Sequence, residues 1–484
     1  MDKSDHAPSL FEDIRLIFAT ILTDPGSSLA YGADALITVT IAMMKVNYEL
    51  GMQATIIAGA TIMGVYFIAI LVYNKMTKHH VHRELGGGAF VSAHITASRI
   101  RKHPRLKKVV ETLGKAGTAS LLADFPATQA ISLIAGVEAL YFIPIEQRLQ
   151  YAIGFLVFLS IIQRYGLGNL AKFMIWPVLA FYGINIAING YGIFTIVSGG
   201  WHPPVIPDSV LRTDEEFFAL IAHAIANGAT LITGVEVGYS SVNIPYHKGK
   251  AIRSAMWTLY AIVLVTYSMQ IINFLGLGIA YNSKIPVPLQ IAVHLGGNNL
   301  AIPFGLITAI MLLLAAQTAQ SDFPLELLRA SRSNFFPRGI GDTAWRKTRK
   351  APIIGGHDGV YNPRAIVLLG ILTVIILYFF PGSHSIEAMY GLAVITTMNI
   401  GITSYLLRQI RAKKISFLTV LALVIMFSML INILYNKFFE GAWFIVVLMV
   451  LYLIVFLVSQ AIYEIWEEKL NMVPLEYGLW FPAF

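Results

Sequence analysis

About twelve stretches of this chain are apolar over lengths near the ~20 residues that a helix needs to cross a lipid bilayer, and no other feature restricts its fold as strongly. Hydrocarbon offers backbone N–H and C=O groups no hydrogen-bond partner, so such stretches must satisfy them internally as helices. The spans read as Ile14–Met44, Gln53–Tyr73, Thr112–Phe142, Leu149–Gln163, Lys172–Ser198 and Glu215–Pro245. They continue as Ile252–Tyr281, Ile302–Arg332, Ala365–Phe380, Ser385–Arg408, Ile415–Tyr435 and Ala442–Tyr463. A soluble protein of 484 residues needs far more polar surface than a chain that is 56% hydrophobic and 13% charged provides. The expected fold class is an all-α integral membrane protein.

Charge placement orients these spans. Lys75, Lys78, Arg83, Arg99, Arg101, Lys102, Arg105, Lys107 and Lys108 crowd one connection. Arg338, Arg346, Lys347, Arg349, Lys350 and Arg364 crowd another, and Arg408, Arg411, Lys413 and Lys414 a third. All fall on one side if both termini are cytoplasmic, as the positive-inside rule requires. The formal charge of +8 therefore belongs to membrane topology and does not indicate nucleic acid as a partner. The chain has no cysteine, which removes disulfides, thiolate catalysis and thiolate metal sites together. Its N-terminus lacks the n-region and cleavage site of a secretory signal, so the first apolar run is expected to stay as a membrane helix. The tail after Tyr463 is too short to fold alone, and no cytosolic C-terminal domain is expected.

Two spans carry polar interruptions. TDPGSSLAYG, residues 23–32, sets Asp24 beside Pro25 inside the first apolar run. A lone carboxylate there costs about 2.5–3.5 kcal/mol on insertion scales unless it meets a partner, water or an ion. Pro25 has no N–H to donate, so it leaves a carbonyl one turn earlier unpaired. Five spans later GATLITGVEVGYSS, residues 228–241, places Thr233, Gly234, Glu236 and Gly238 mid-span. Interrupted helices at matching positions of two five-helix halves point to an inverted-repeat transporter and to its binding site. The third span adds Asp124, Thr128 and Ser132 at i, i+4 and i+8, on one helical face, with Pro126 nearby. Glu138 falls almost on that stripe but about four turns away, at the outer mouth, and is left out of the site.

This donor set is carboxylate, hydroxyl and carbonyl oxygen, which suits hard cations. It favours an alkali cation or a proton, since a carboxylate in hydrocarbon gives up its charge readily and can carry a proton across. An amino-acid substrate would use half-helix amides at Gly26, Ser27 and Ser28, and that alternative stays open at this point. Two other motifs read as bland. His79, His80 and His82 form the densest histidine cluster, but without matching ligand spacing they read as a solvated basic loop. The run Gly86–Phe90 follows a charged loop rather than a strand, so it reads as a tight turn rather than a nucleotide loop.

In DPGSSLAYG, ELGGGAF, ADFPATQAIS, TGVEVG, QSDFPLELLRASRSNFFPRGIGD, AMYGLAV and EGAW the chain resembles the KimA-type bacterial potassium importers of the amino acid–polyamine–organocation superfamily. The resemblance implies a LeuT-like fold: a first repeat over about 14–198, a second over about 215–408, and additional helices over about 415–463. It implies proton-coupled potassium uptake by alternating access, with K+ and H+ as the only small partners and no cofactor. Asp24 and Tyr31 would line the ion path, while Asp124, Thr128 and Ser132 would coordinate potassium with Thr233 and Tyr390. Asp24 or Glu236 would take the proton. Phe125 stands where the family usually has tyrosine, which removes or relocates one hydroxyl. Without the large C-terminal domain of those importers, a homodimer and nucleotide regulation are doubtful.

The competing expectation is a proton-coupled amino-acid or amine permease of the same fold. A receptor without transport is neither supported nor excluded by the residues. A membrane-embedded enzyme would need a nucleophile–base pair or metal ligands at membrane depth, and only His223 and His294 offer themselves, without partners at a telling spacing.

Overall fold

The computed structural model describes residues 22–80, 104–163, 167–232, 234–235, 248–341 and 362–470, and these residues are almost entirely helical. Twelve principal helices follow one another: α1 (Thr23–Val46), α2 (Tyr48–His80), α3 (Pro104–Ala139), α4 (Arg148–Ile162), α5 (Leu167–Gly199) and α6 (Phe217–Gly228). Then come α7 (Lys248–Gly276), α8 (Val287–Arg332), α9 (Pro363–Phe379), α10 (Ser383–Arg411), α11 (Phe417–Lys437) and α12 (Trp443–Leu470). Among the described residues, nine helical segments are long and apolar enough to cross a membrane. One of them, Phe417–Ile465, holds both α11 and α12, and the shorter apolar segments Phe217–Ile232 and Pro363–Phe379 hold α6 and α9. The twelve expected spans thus each correspond to one helix.

Boundaries shift for identifiable reasons. α3 starts eight residues before the expected Thr112, through a charged stretch where Lys107 and Glu111 pair at 3.7 Å across one turn. A helix need not stop where the apolar run does. α8 starts at Val287 rather than Ile302 because a first helical segment precedes a break at Gly297, whose φ of 57° and ψ of −152° no helix accommodates. α9 opens on the Asn362 side chain, which accepts from the backbone N–H of Arg364 and Ala365, with Pro363 at the first helical position. The sixth span, expected as Glu215–Pro245, is helical to Gly228 and tightens into a 3₁₀ turn at Ala229–Ile232. α11 and α12 join through a π-helical turn, Phe438–Ala442, where Gly441 takes φ 131°.

Burial sorts the helices. In α3 the most apolar window is 89% buried and in α10 78%, whereas in α4 it is 22%. Outward faces carry Phe158, Trp176, Val197, Phe417 and Phe439, an apolar surface that lipid covers. Polar side chains in hydrocarbon are costly, so they collect on helices shielded by others: α1, α3 and α10 hold Asp34, Asp124, Thr128, Ser132 and Glu387, all buried.

The segment 23–32, expected as an interruption, is continuous helix from Thr23, with Pro25 tolerated in its first turn; its proline still meets the break after α6. Gly234 takes φ +88°, and a Cβ on it would fall 2.1 Å from Pro25 Cγ. A Cβ on Gly32 of α1 would fall 2.6 Å from Leu231 Cγ, in the turn after α6. Glycine at both positions lets the two backbones approach this closely. Gly234→Ala is expected to cost about 1–3 kcal/mol through strain and overlap. Gly64→Ala in α2, with open space around it, is expected to be neutral. Thermal unfolding of the detergent-solubilised protein checks the pair, and equal melting temperatures for the two variants would contradict the close contact.

Candidate functional site

Three contacts assemble the elements expected to carry the site. The first is Pro25 against Gly234, at the start of α1 and beyond the turn that ends α6. The second joins α10 to that same turn: a Cβ on Gly391, next to Tyr390, would sit 3.8 Å from Thr230 Cγ2. The third joins α3 to α10, where the Ser120 hydroxyl donates to the carbonyl of Ala393 at 2.9 Å. Ser120 lies one turn before Asp124, and Ala393 three residues after Tyr390. The start of α1, the middle of α3, the α6 turn and the first half of α10 therefore converge.

Within this junction Asp124, Thr128, Ser132, Tyr31 and Tyr390 are all buried. The Thr128 hydroxyl donates to Asp124 Oδ1 at 3.4 Å, as their i, i+4 spacing on α3 requires. Ser132 Oγ is buried and has no hydrogen-bond partner among the described residues. α3 runs through Pro126 unbroken. On α1, Ser28 Oγ lies 3.4 Å from the Tyr31 hydroxyl. The carbonyl of Leu22, at the mouth of α1, accepts from Gly26 N–H at 3.1 Å and from the Tyr182 hydroxyl at 2.8 Å. Asp24 stands in the first turn of α1, and its side chain lies outside the described part of the structure. Thr233 and Glu236 also lie outside the described residues, as do Gly86–Phe90, His82 and the side chains of His79 and His80. Phe125 packs edge-on against Phe323 of α8, with ring centroids 6.0 Å apart.

A second polar tier stands one turn further along α1 and α10. Asp34 follows Tyr31 by three residues and Glu387 precedes Tyr390 by three, so each carboxylate lies on its tyrosine's face. His384 bridges them: Nε2 is 3.2 Å from Asp34 Oδ2, and Nδ1 is 3.4 Å from Glu387 Oε2. Glu138, at the end of α3, accepts from the backbone N–H of Ser383 at 3.4 Å and lies 3.9 Å from Arg148. The loop before α8 closes over this tier. It is held by backbone bonds such as Tyr281 N–H to the Val205 carbonyl at 2.9 Å, and the Tyr281 hydroxyl sits 3.3 Å from Thr38 Oγ1. Burial, with the Asp34 charge adding to it, pushes the Tyr281 phenol above its usual range and keeps it a neutral hydrogen-bonding group.

Sequence reasoning did not single out Asp34, His384 or Glu387. Asp34 could have been found as a second carboxylate in the same apolar run as Asp24, and Glu387 as the residue one turn from Tyr390. The pairing through His384 has no local signal, since it joins α1 to α10. Of the two histidines considered for an enzyme, His223 is engaged by carboxylates. His223 is held by Glu215 at 3.2 Å and Glu440 at 3.5 Å, with Glu440 also paired to Lys437.

A hydroxyl buried without a partner gives the folded protein nothing in return for its desolvation. Ser132→Ala is therefore expected to leave the stability of the ion-free protein unchanged within about 0.5 kcal/mol, or to raise it. Thermal unfolding in potassium-free and sodium-free buffer checks this, and a loss of several degrees would show that Ser132 has a structural partner.

With this geometry in place, comparison with known proteins is informative. The profile of the family described as K+ potassium transporter, integral membrane domain, matches residues 36–462. The potassium transporter KimA of Bacillus subtilis (strain 168) is 24% identical over 481 residues, covering 95% of this chain and 72% of that protein. The low affinity potassium transport system protein Kup of Pectobacterium atrosepticum is 26% identical over 384 residues, covering 76% of this chain and 56% of the relative. The protein of the same name in Yersinia pseudotuberculosis serotype O:1b is 26% identical over 408 residues, 78% of this chain and 59% of the relative. The chain thus spans little more than half the length of these Kup proteins. The matches are to potassium transporters rather than enzymes, and the amino-acid or amine permease reading draws no support from them. Nor do they extend to the wider amino acid–polyamine–organocation superfamily that the sequence resemblance implied, since the family they show is a different one.

Proposed function

This chain belongs to the potassium-transporter family, and from that premise we propose that it takes up potassium together with protons, by alternating access across the cell membrane. The observation that carries the reading is the junction of the two interruptions at Pro25 and Gly234, beside the buried Asp124–Thr128–Ser132 stripe. A dehydrated alkali cation needs several oxygens at close range, and among the described residues this junction gathers the buried oxygens of Asp124, Thr128, Ser132, Tyr31 and Tyr390. In the proposal Asp124 supplies the charge, and Thr128, Ser132 and Thr233 supply hydroxyl oxygens. Carbonyls near Pro25 complete the shell, and Tyr31 and Tyr390 close it. Asp24 or Glu236 takes the proton, because each stands at an interruption where access to water can alternate.

The LeuT-like five-plus-five arrangement is part of the same proposal, with α1–α5 and α6–α10 as the repeats and α11 and α12 added. It is supported by Pro25 in the first turn of α1 and by the 3₁₀ turn and positive-φ Gly234 that follow α6, the first helices of the two halves. Alternating access then follows as motion of the interrupted helices against the rest around a fixed site.

Potassium or rubidium uptake into proteoliposomes under an inward proton gradient tests the activity. The wild-type protein is expected to accumulate the ion and to lose that accumulation when the gradient is collapsed. Asp124→Asn is expected to abolish uptake, and Ser132→Ala to raise KM about tenfold with kcat little changed. Uptake equal to protein-free vesicles, with correctly folded wild-type protein present, overturns the reading.

Orientation is open to direct measurement because the chain has no cysteine of its own. Asp208, in the exposed connection between α5 and α6, and Lys413, after α10, are expected on opposite faces. In intact cells an impermeant thiol reagent is expected to label Asp208→Cys and to miss Lys413→Cys; the reverse pattern contradicts cytoplasmic termini.

A further inference from the structure

The tier formed by Asp34, His384 and Glu387 has a charge problem that the potassium junction does not explain. Asp34 is 4% exposed and Glu387 3%, yet one oxygen of each, Asp34 Oδ1 and Glu387 Oε1, has no hydrogen-bond partner among the described residues. The third carboxylate, Glu138, has Arg148 as its own counterion at 3.9 Å. Asp34 and Glu387 are left to share one imidazole. Even a protonated His384 balances only one of them, and a neutral His384 balances neither. Buried carboxylates in this state draw in a proton or a cation.

Other charged groups on the elements packed around the tier are committed elsewhere. Lys437 at the end of α11 pairs with Glu440 on the π-turn, Glu440 also holds His223, and Lys45 at the end of α1 is bound by the carbonyls of Pro207, Asp208 and Val210. Tyr281, from the overlying loop, contributes a neutral hydroxyl near Thr38. The His384 side chain is 37% exposed while both its carboxylate partners are buried. The imidazole therefore lies between water and the two free oxygens.

We propose that Asp34 and Glu387 form a second, outer station for a monovalent cation, one turn outward of Tyr31 and Tyr390, where the His384 imidazolium and an arriving alkali ion compete for the same two carboxylates. Four carboxylate oxygens without a second fixed cation suit a hard, singly charged ligand. The imidazole is only partly buried, at the water-facing edge of the tier, so its displacement exposes the two carboxylates to an arriving ion. The station loads the inner junction from the outside and, because its competitor is a histidine, couples loading to external pH. When His384 is protonated the station is occupied by its own side chain. As external pH rises and His384 loses its proton, the carboxylates become available and the apparent affinity for potassium rises.

This inference rests on the proposed potassium uptake, and the experiment separates the two. Uptake in proteoliposomes is measured as KM and kcat for potassium over a series of external pH values from 6 to 9.5, for wild type, His384→Gln, Asp34→Asn and Glu387→Gln. The expected result is a wild-type KM that falls about fivefold across that pH series and a pH-independent KM in His384→Gln. Asp34→Asn and Glu387→Gln are expected to raise KM by about fivefold or more with kcat little changed. Unchanged KM values in both carboxylate variants, with uptake intact, overturn the station and leave the inner site standing. No uptake by the wild type overturns the transport reading itself.

A second measurement needs no variant. His384 in the purified wild-type protein is modified with diethyl pyrocarbonate and quantified by mass spectrometry, in potassium and in choline. Displacement of the imidazole by potassium is expected to speed modification of His384 at least about twofold. Equal or slower modification in potassium overturns the proposal even if the carboxylate variants fail to fold.

Discussion

The proximity of Pro25 and Gly234 is the contact on which the rest depends. Each residue is a defect in a membrane helix: proline lacks a donor, and glycine at φ +88° leaves helical geometry. Lipid would penalise the backbone groups that each leaves unpaired, so irregular backbone at this depth is tolerated only where protein or a cavity surrounds it. Packing one interruption on the other shields both at once. The Leu22 carbonyl takes the Tyr182 hydroxyl from α5 in addition to the Gly26 N–H, and the turn after α6 is flanked by α1 and α10. Neither defect would survive alone at a lipid-facing surface.

Around this contact the molecule separates polar from apolar by helix. α3 is the most enclosed and carries the acid–hydroxyl stripe, while α4, α5, α11 and α12 present Phe, Trp, Val and Ile to lipid. The same separation acts along α1 and α10. Hydroxyls and tyrosines occupy the inner tier, carboxylates and a histidine the outer, and the spacing between tiers is one helical turn on both helices. In the proposed reading, two tiers of different chemistry on one pair of helices would give an ion successive resting places rather than a single trap. At the opposite end of the protein, Glu326 and Arg329 of α8 form a buried pair at 2.9 Å within one turn of helix.

Much of this was legible in the residues. Apolar runs located twelve helices because the membrane leaves a chain no other secondary structure, and the i, i+4, i+8 spacing put Asp124, Thr128 and Ser132 on one face before any coordinates. Pro25 and Gly234 stood out as breakers. Their mutual contact did not, since it joins positions more than two hundred residues apart. The extension of α3 to Pro104 and the early start of α8 were missed because hydropathy marks the bilayer and not the helix. Asp34, His384 and Glu387 were missed for a different reason: His384 and Glu387 look like ordinary polar residues at a span end, Asp34 was passed over beside Asp24, and only the packing of α10 on α1 makes the three a group.

The central claim is that a dehydrated potassium ion rests where the two interruptions meet the α3 stripe. Thallium(I) mimics potassium in size and charge and scatters anomalously, so diffraction from crystals grown in thallium locates the ion without assuming any mechanism. The account predicts an anomalous peak within coordination distance of Asp124 and Ser132, beside Pro25 and Gly234, and its absence in Asp124→Asn. A peak elsewhere in the membrane region with that junction empty would contradict it.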